Sequence, residues 1–391
     1  MYKRITFYLV ILIVFNCIDS KAYSTELRNS DFTELAELVS ATTTKNRNVE
    51  IVFCLDATGS MSGLIGTAKE KIWDIVSDLA ASNDVDTLKM GMIFYRDRGD
   101  AFITRQIPLT TDLDSVYADL LEIGAGGGGD SPESVNQALN ESVNDMAWSS
   151  NENTYRTIFV VGDCPPHMDY KDDVPYTISC TQAAEKGITI NTIKLGTDCR
   201  SAITHFKKMA ACSNGEFLQL DQNATDYVID TPYDKEINEV SKKIDDSRLY
   251  YGNENEQRLN NAKKAKSMEV YDKSSLTANS ARASYKMSKS GENSWMGSKE
   301  IIKDYKTGKV KLDTVKDDEL PTELKGKTIT EKEKILKQLL KERESNVTKM
   351  KELNKKRKDY LDQKAKERSD TDELSFSKEV IKIMIEQSKS N

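Results

Sequence analysis

Histidine is nearly absent from this chain. There are two in 391 residues, His167 and His205, which excludes a metal site built from several histidines. No Cys-x-x-Cys occurs, so neither a zinc ribbon nor a redox dithiol is supported. Apolar residues are scarce at 38% and charged ones plentiful at 30%, so part of the chain is expected to bury a core and part is not. No apolar stretch reaches the ~20 residues that a membrane-spanning helix needs. Basic charge is thin in the first part of the chain. Residues 1–250 hold 23 Lys+Arg against 38 Asp+Glu, and residues 251–391 hold 33 against 25. Balances of −15 and +8 argue against one homogeneous domain. They also exclude a nucleic-acid binder driven by overall charge, because the better-patterned half is acidic.

What is present begins with an address. Lys3 and Arg4 precede the apolar run of residues 5–15, and Ser20-Lys21-Ala22 places small residues where a signal peptidase reads them. Residues 1–22 are therefore expected to be a signal peptide, and the mature protein to be secreted or extracytoplasmic, in a periplasm or at a cell surface. Asn16 is a poor residue before a lipidated cysteine, so anchoring through Cys17 is not favoured. Cys54 lies inside an apolar strand and is expected as a core thiol. Among Cys164, Cys180, Cys199 and Cys212 one disulfide is expected in that oxidising setting, and spacing does not give its pairing.

Residues 23–47 form a polar linker with a short helical pattern. The near-continuous apolar run of residues 49–55 then reads as a strand buried on both faces. Further strands are expected at 90–95, 102–107, 157–161, 188–195 and 216–220. Helical patterns lie between them, and a polar helix ends near 246. Strands alternating with helices of this length predict a doubly wound, mostly parallel six-stranded α/β sheet over residues 48–246. Residues 247–328, rich in Ser, Asn and Lys, read as a polar, partly ordered linker. Residues 329–391 read as a charged α-helical tail that opens on a Thr330-x-x-Glu333 capping box. Its apolar seam is too intermittent for a free coiled coil and suits docking on the α/β domain.

The first strand ends in Asp56-Ala57-Thr58-Gly59-Ser60. A carboxylate and two hydroxyls at alternate positions, at the strand edge where α/β sheets bind ligands, suit a hard cation such as Mg²⁺. This loop resembles the first loop of the metal-ion-dependent adhesion site of von Willebrand factor type A domains. Gly162-Asp163-Cys164-Pro165-Pro166-His167 resembles the Asp-Ala-Pro-Pro-His segment of hemicentin-like and exported bacterial members, with Cys164 in place of Ala. The resemblance implies metal ligation by Asp56, Thr58, Ser60 and Asp163. Integrin-like members place a metal-binding Thr in a further loop. Here that loop reads Gly126-Gly127-Gly128-Gly129-Asp130-Ser131-Pro132-Glu133, and Asp130 is the leading candidate, with Ser131 and Glu133 as rivals. An extra carboxylate would tighten the cation and weaken the hold of an acidic ligand. Tyr95-Arg96-Asp97, Tyr251-Gly252, the Leu320–Leu324 segment and Arg343 to Arg357 extend the likeness.

Other motifs carry less. Gly124 to Gly129 spells Gly-x-Gly-x-x-Gly but follows a helix, whereas a dinucleotide site needs it after the first strand. Arg98-Gly99-Asp100 reads as a turn between strands. His167 could serve as a base, but it suits packing on the Pro165-Pro166 turn better. No Ser/His/Asp arrangement appears, so an enzyme is not expected. The expectation is an exported adhesion-type module that holds Mg²⁺ (alternatively Mn²⁺ or Ca²⁺) and a protein partner through it. The alternatives are a metal-dependent hydrolase with His167 or Glu133 as base, and a structural envelope protein whose tail makes the contacts.

Overall fold

A run of apolar residues with a polar end makes the central strand β1, Asn48–Asp56, which is buried over all but its first residue. The computed structural model describes residues 48–82, 85–222, 226, 228–367 and 375–390. The expected signal peptide and linker, residues 1–47, lie outside them. The remaining strands are β2 Thr87–Tyr95, β3 Thr104–Thr110, β4 Thr154–Gly162, β5 Ile188–Leu195 and β6 Phe217–Leu220. Their order is β3-β2-β1-β4-β5-β6. All neighbours are parallel except the β2–β3 pair at one edge. The sheet therefore grows outward from β1 to β3 and restarts at β4 on the other side of β1. The C-terminal ends of β1 and β4 flank that switch in direction, where crevices open in such sheets.

Helices α1 Ser62–Ser82, α2 Leu113–Leu121, α3 Val135–Asn144, α4 Tyr176–Glu185 and α5 Ser201–Ala211 cover the sheet. On one face Phe53, Leu55, Phe94 and Phe159 pack with Leu64, Trp73 and Val76. On the other, Val52, Ile93, Ile158 and Val160 pack with Val135, Leu139 and Phe206. Helix α6, Asp234–Asp246, closes the region read as α/β.

Beyond it the structure departs from expectation. Residues 247–328 are not a partly ordered linker. They form α7 Glu254–Lys273, α8 Leu276–Lys286, α9 Lys289–Trp295 and α10 Ile301–Lys306. Two further helices follow, α11 Ile329–Glu367 and α12 Phe376–Ser390. Asn253, Ser275 and Glu300 cap α7, α8 and α10. The capping box that opens α11 is Thr328 with Glu331, two residues before the expected one. Val270, Ala281 and Tyr285, with Phe376, Val380 and Met384 of α12, join the same core as Trp73. The tail thus completes one face of the domain.

Its polar residues are turned inward as pairs. The Arg282 guanidinium forks onto Asp114 of α2 at 2.6 Å through two nitrogens, and one of these also donates to Asp245 at 3.2 Å. Lys286 pairs with Asp245 too, and Ser267 and Tyr271 donate to Asp114 and Asp245. Arg343 is bidentate to Glu300 and Arg357 reaches Asp234. Leu320 and Leu324 are fully buried. Two disulfides form rather than one, Cys164–Cys199 and Cys180–Cys212, and Cys54 is a buried free thiol. Burial pushes that thiol up to about 12. No helix among the described residues is long and apolar enough to cross a membrane.

Candidate metal centre

The site begins where β1 runs out of sheet. Asp56 is fully buried, and its Oδ1 accepts from the Thr58 amide at 2.8 Å and the Thr58 hydroxyl at 2.6 Å. This tight turn carries Thr58 Oγ1 to 3.3 Å from Ser60 Oγ, which is exposed. Thr58 rather than Ser60 stands at the start of the helical turn that follows, and it makes no side-chain cap bond. The Asp56 Oδ2 atom has no hydrogen-bond partner. On β4, Asp163 follows the last strand residue. Its Oδ2 accepts from Gln222 Nε2 at 3.0 Å, whereas its Oδ1 has no partner. A side chain at Gly162 would overlap the Tyr95 hydroxyl, which donates to the Val161 carbonyl at 3.0 Å.

The glycine run lies against this first loop. Gly59 N–H donates to Gly127 O at 3.1 Å, and Gly126 N–H to Ala57 O at 3.0 Å. Arg96 ties the two together, donating to Ala57 O and Gly124 O. Gly127 and Gly128 have φ of +84° and +89°, and a side chain at Gly127 would strike the Asp100 carboxylate. That carboxylate accepts from Gly128 N–H and from Asp97 N–H. The Arg98-Gly99-Asp100 turn is therefore a brace for the glycine loop.

After the run, the loop turns inward at Glu133 and not at Asp130. Glu133 is 4% exposed, and its backbone pairs with Pro165 O and the His167 amide. Its Oε2 is buried without a partner. Burial, then the charges of Asp56, Asp97 and Asp163, push its carboxyl up to about 9. Burial, then the neighbouring Asp163, pushes Asp56 up to about 7. The Asp130 side chain is 62% exposed, with Oδ2 3.9 Å from His167 Nε2. Asp97, Asp130 and His167 bring one ligand-type atom each within 4.8 Å of one another. The structure thus gathers Asp56, Thr58 and Asp163 at the switch point with Glu133, sets Ser60 at the mouth, and places Asp130 beside a histidine. Tyr95-Arg96-Asp97 carries a family likeness in the sequence but no role, and nothing there marks Asp100 or Gln222 as members of this region. Asp97, Asp100 and Gln222 reach it from two separate loops, the β2–β3 turn and the segment after β6.

A doubly wound sheet whose first strand ends in a carboxylate–hydroxyl loop at the switch point defines a class of α/β domains. Residues 50–231 match the von Willebrand factor A domain, and this part of the chain is such a domain. Among curated proteins, the ariadne-like RING finger protein R811 of Acanthamoeba polyphaga mimivirus is 29% identical over 119 residues, 30% of this chain. The match spans only 11% of that protein's length. Solved structures similar in fold include BatB from Bacteroides thetaiotaomicron, 20% identical over 44% of this chain and 91% of that one, with a TM-score of 0.34. The SpRpn10 VWA domain is 13% identical over 45% and 88%, also with a TM-score of 0.34.

Proposed function

We propose that this protein is an exported binding module that holds a divalent cation through Asp56, Glu133 and Asp163, with the Thr58 and Ser60 hydroxyls, and engages a protein partner there. One observation carries the reading. Three buried carboxylate oxygens, Asp56 Oδ2, Glu133 Oε2 and Asp163 Oδ1, are left without hydrogen-bond partners, and burial and the neighbouring acidic charges disfavour the ionisation of Asp56 and Glu133. Uncompensated buried carboxylates are costly, and an ion offsets that cost. An all-oxygen donor set selects a hard cation, Mg²⁺ first and Mn²⁺ or Ca²⁺ as alternatives. When bound, such an ion supplies a Lewis-acidic position that accepts an oxygen from outside. Three carboxylates exceed the charge of a divalent ion, so the residues favour a neutral partner oxygen, a carbonyl or hydroxyl, over a partner's Asp or Glu. Export is supported by the basic-apolar start of the chain and by the two disulfides.

The test is capture from the native envelope or medium by the full chain, in Mg²⁺ and in EDTA, beside Asp56→Ala. A partner retained in Mg²⁺ and lost both with EDTA and in the variant supports the reading. A partner held equally in all three places the contacts elsewhere. Hydrolysis of generic esters or phosphoesters that disappears in Asp56→Ala would turn the reading toward the hydrolase.

A further inference from the structure

Beside the three carboxylates lies a second donor set of different chemistry. Asp97, in the β2–β3 turn, is 6% exposed. Its Oδ1 accepts from Ser134 Oγ and from the Tyr170 hydroxyl, both at 3.1 Å. Its Oδ2 lies 3.1 Å from the same hydroxyl and 3.3 Å from His167 Nε2. His167 is 4% exposed and stacks on the Tyr170 ring at 3.9 Å. That ring also carries the Arg98 guanidinium at 4.0 Å. The stack leaves the imidazole little freedom to turn away. Its other nitrogen, Nδ1, lies 2.8 Å from Asp169 Oδ1. In the tautomer that donates Nδ1–H to this carboxylate, the Nε2 lone pair points the opposite way. The lone pair meets no hydrogen-bond partner. It faces Asp97 Oδ2, with Asp130 Oδ2 at 3.9 Å.

A lone pair aimed at two carboxylates is repulsive unless an electrophile, a proton or a metal cation, sits among them. We propose that Asp97, Asp130 and His167 form a second cation site, with Asp169 as the residue that orients the imidazole. Bonds of ~2.0–2.2 Å to nitrogen and oxygen put the edge of a tetrahedral site at roughly 3.4 Å, close to the 3.3 Å separation of His167 Nε2 from Asp97 Oδ2. One imidazole and two carboxylates suit Zn²⁺ or a similar first-row dication and are a poor match for Mg²⁺. Because Asp130 is mostly exposed, the remaining position opens to solvent and admits water or a donor from outside. The site shares no ligand with the all-oxygen one, and the proposal stands whether or not that one holds Mg²⁺.

The test uses the full chain in saturating Mg²⁺, with Co²⁺ as the optical probe. The expected result is one equivalent of Co²⁺ with the visible ligand-field absorption of a low-coordinate nitrogen–oxygen site, displaced by one equivalent of Zn²⁺. His167→Gln and Asp130→Asn should each weaken Co²⁺ by about tenfold or more, and Asp56→Ala should leave it in place. Should His167→Gln disturb folding, the exposed Asp130→Asn keeps the test decisive, with circular dichroism as the control. The proposal is overturned if wild type binds no Co²⁺ under these conditions, or if Asp130→Asn binds it as tightly as wild type. It is equally overturned if nitrogen-15 spectra in excess Zn²⁺ show both His167 ring nitrogens protonated, since a proton would then hold the position assigned to the metal. Mg²⁺ titration of the same variants reports on the first site separately.

Discussion

At the scale of single residues, the acidic loop divides into two roles. Glu133 turns its carboxylate inward to Asp56 and Asp163, and Asp130 turns outward to His167. Glu133→Gln should therefore weaken Mg²⁺ by about tenfold or more, because affinity at such sites follows the number of charged ligands. Asp130→Asn should change it by less than about threefold, within what a nearby surface charge contributes. Calorimetric titration of the two variants checks this, and the opposite ranking would return Asp130 to the first site. Asp56, Thr58, Ser60 and Asp163 were legible in the sequence because they sit at fixed offsets from apolar strands. The choice between Asp130 and Glu133 was not. Two successive glycines at positive φ, Gly127 and Gly128, reverse the chain just before it, and no periodicity survives such a turn. His167 likewise owes its surroundings to Tyr170, Asp97 and Asp169, which local pattern cannot assemble.

At the scale of elements, the strands were readable and the helices of residues 247–328 were not. Strands of a parallel sheet bury both faces, and the sequence displays this as unbroken apolar runs. Helices α7 and α8 instead bury polar groups against polar groups. Arg282, Lys286, Asp114, Asp245 and Ser267 all lie in their interface, so composition mimics a solvated linker. A buried pair of this kind is severely weakened by removing one partner. Arg282→Ala should cost about 3–5 kcal/mol, read as a lower denaturation midpoint. The Arg282 and Lys286 charges outweigh the burial of Asp114 and hold its carboxyl well below the usual carboxylate range. Its contribution is therefore full above the unfolded value of about 4 and is lost as the pH falls further toward the folded one. Denaturation midpoints of wild type should drop below pH ~4 more steeply than those of Asp114→Asn. Parallel curves would remove Asp114 from the acid response.

At the scale of the whole molecule, the opposite charges of the two parts resolve into particular pairs. Lys263 meets Asp112, Lys266 meets Asp119 and Lys273 meets Glu122 across the α2–α7 contact. Solvent-accessible pairs of this kind are screened and contribute little each. What fastens the tail is the buried network and the apolar contact of Tyr285, Val380 and Met384 with the core around Trp73. Ending the chain after residue 246 would strip that cover from α1. The shortened domain should aggregate or melt well below the full chain, and equal thermal stability would make the tail a separate unit. Of the two disulfides, Cys180–Cys212 lies on the opposite side of the sheet and Cys164–Cys199 joins the loops after β4 and β5. Cys164–Cys199 secures the residue next to Asp163, and the 35-residue separation of its cysteines corresponds to about 4 kcal/mol in the chain-entropy treatment. The central claim is that the switch point of this sheet holds a divalent cation. It is tested most directly by calorimetric titration of the full chain with Mg²⁺, beside Asp56→Ala. The account predicts one saturable equivalent in the wild type and none in the variant, while equal affinity in both, or no binding in either, would contradict it.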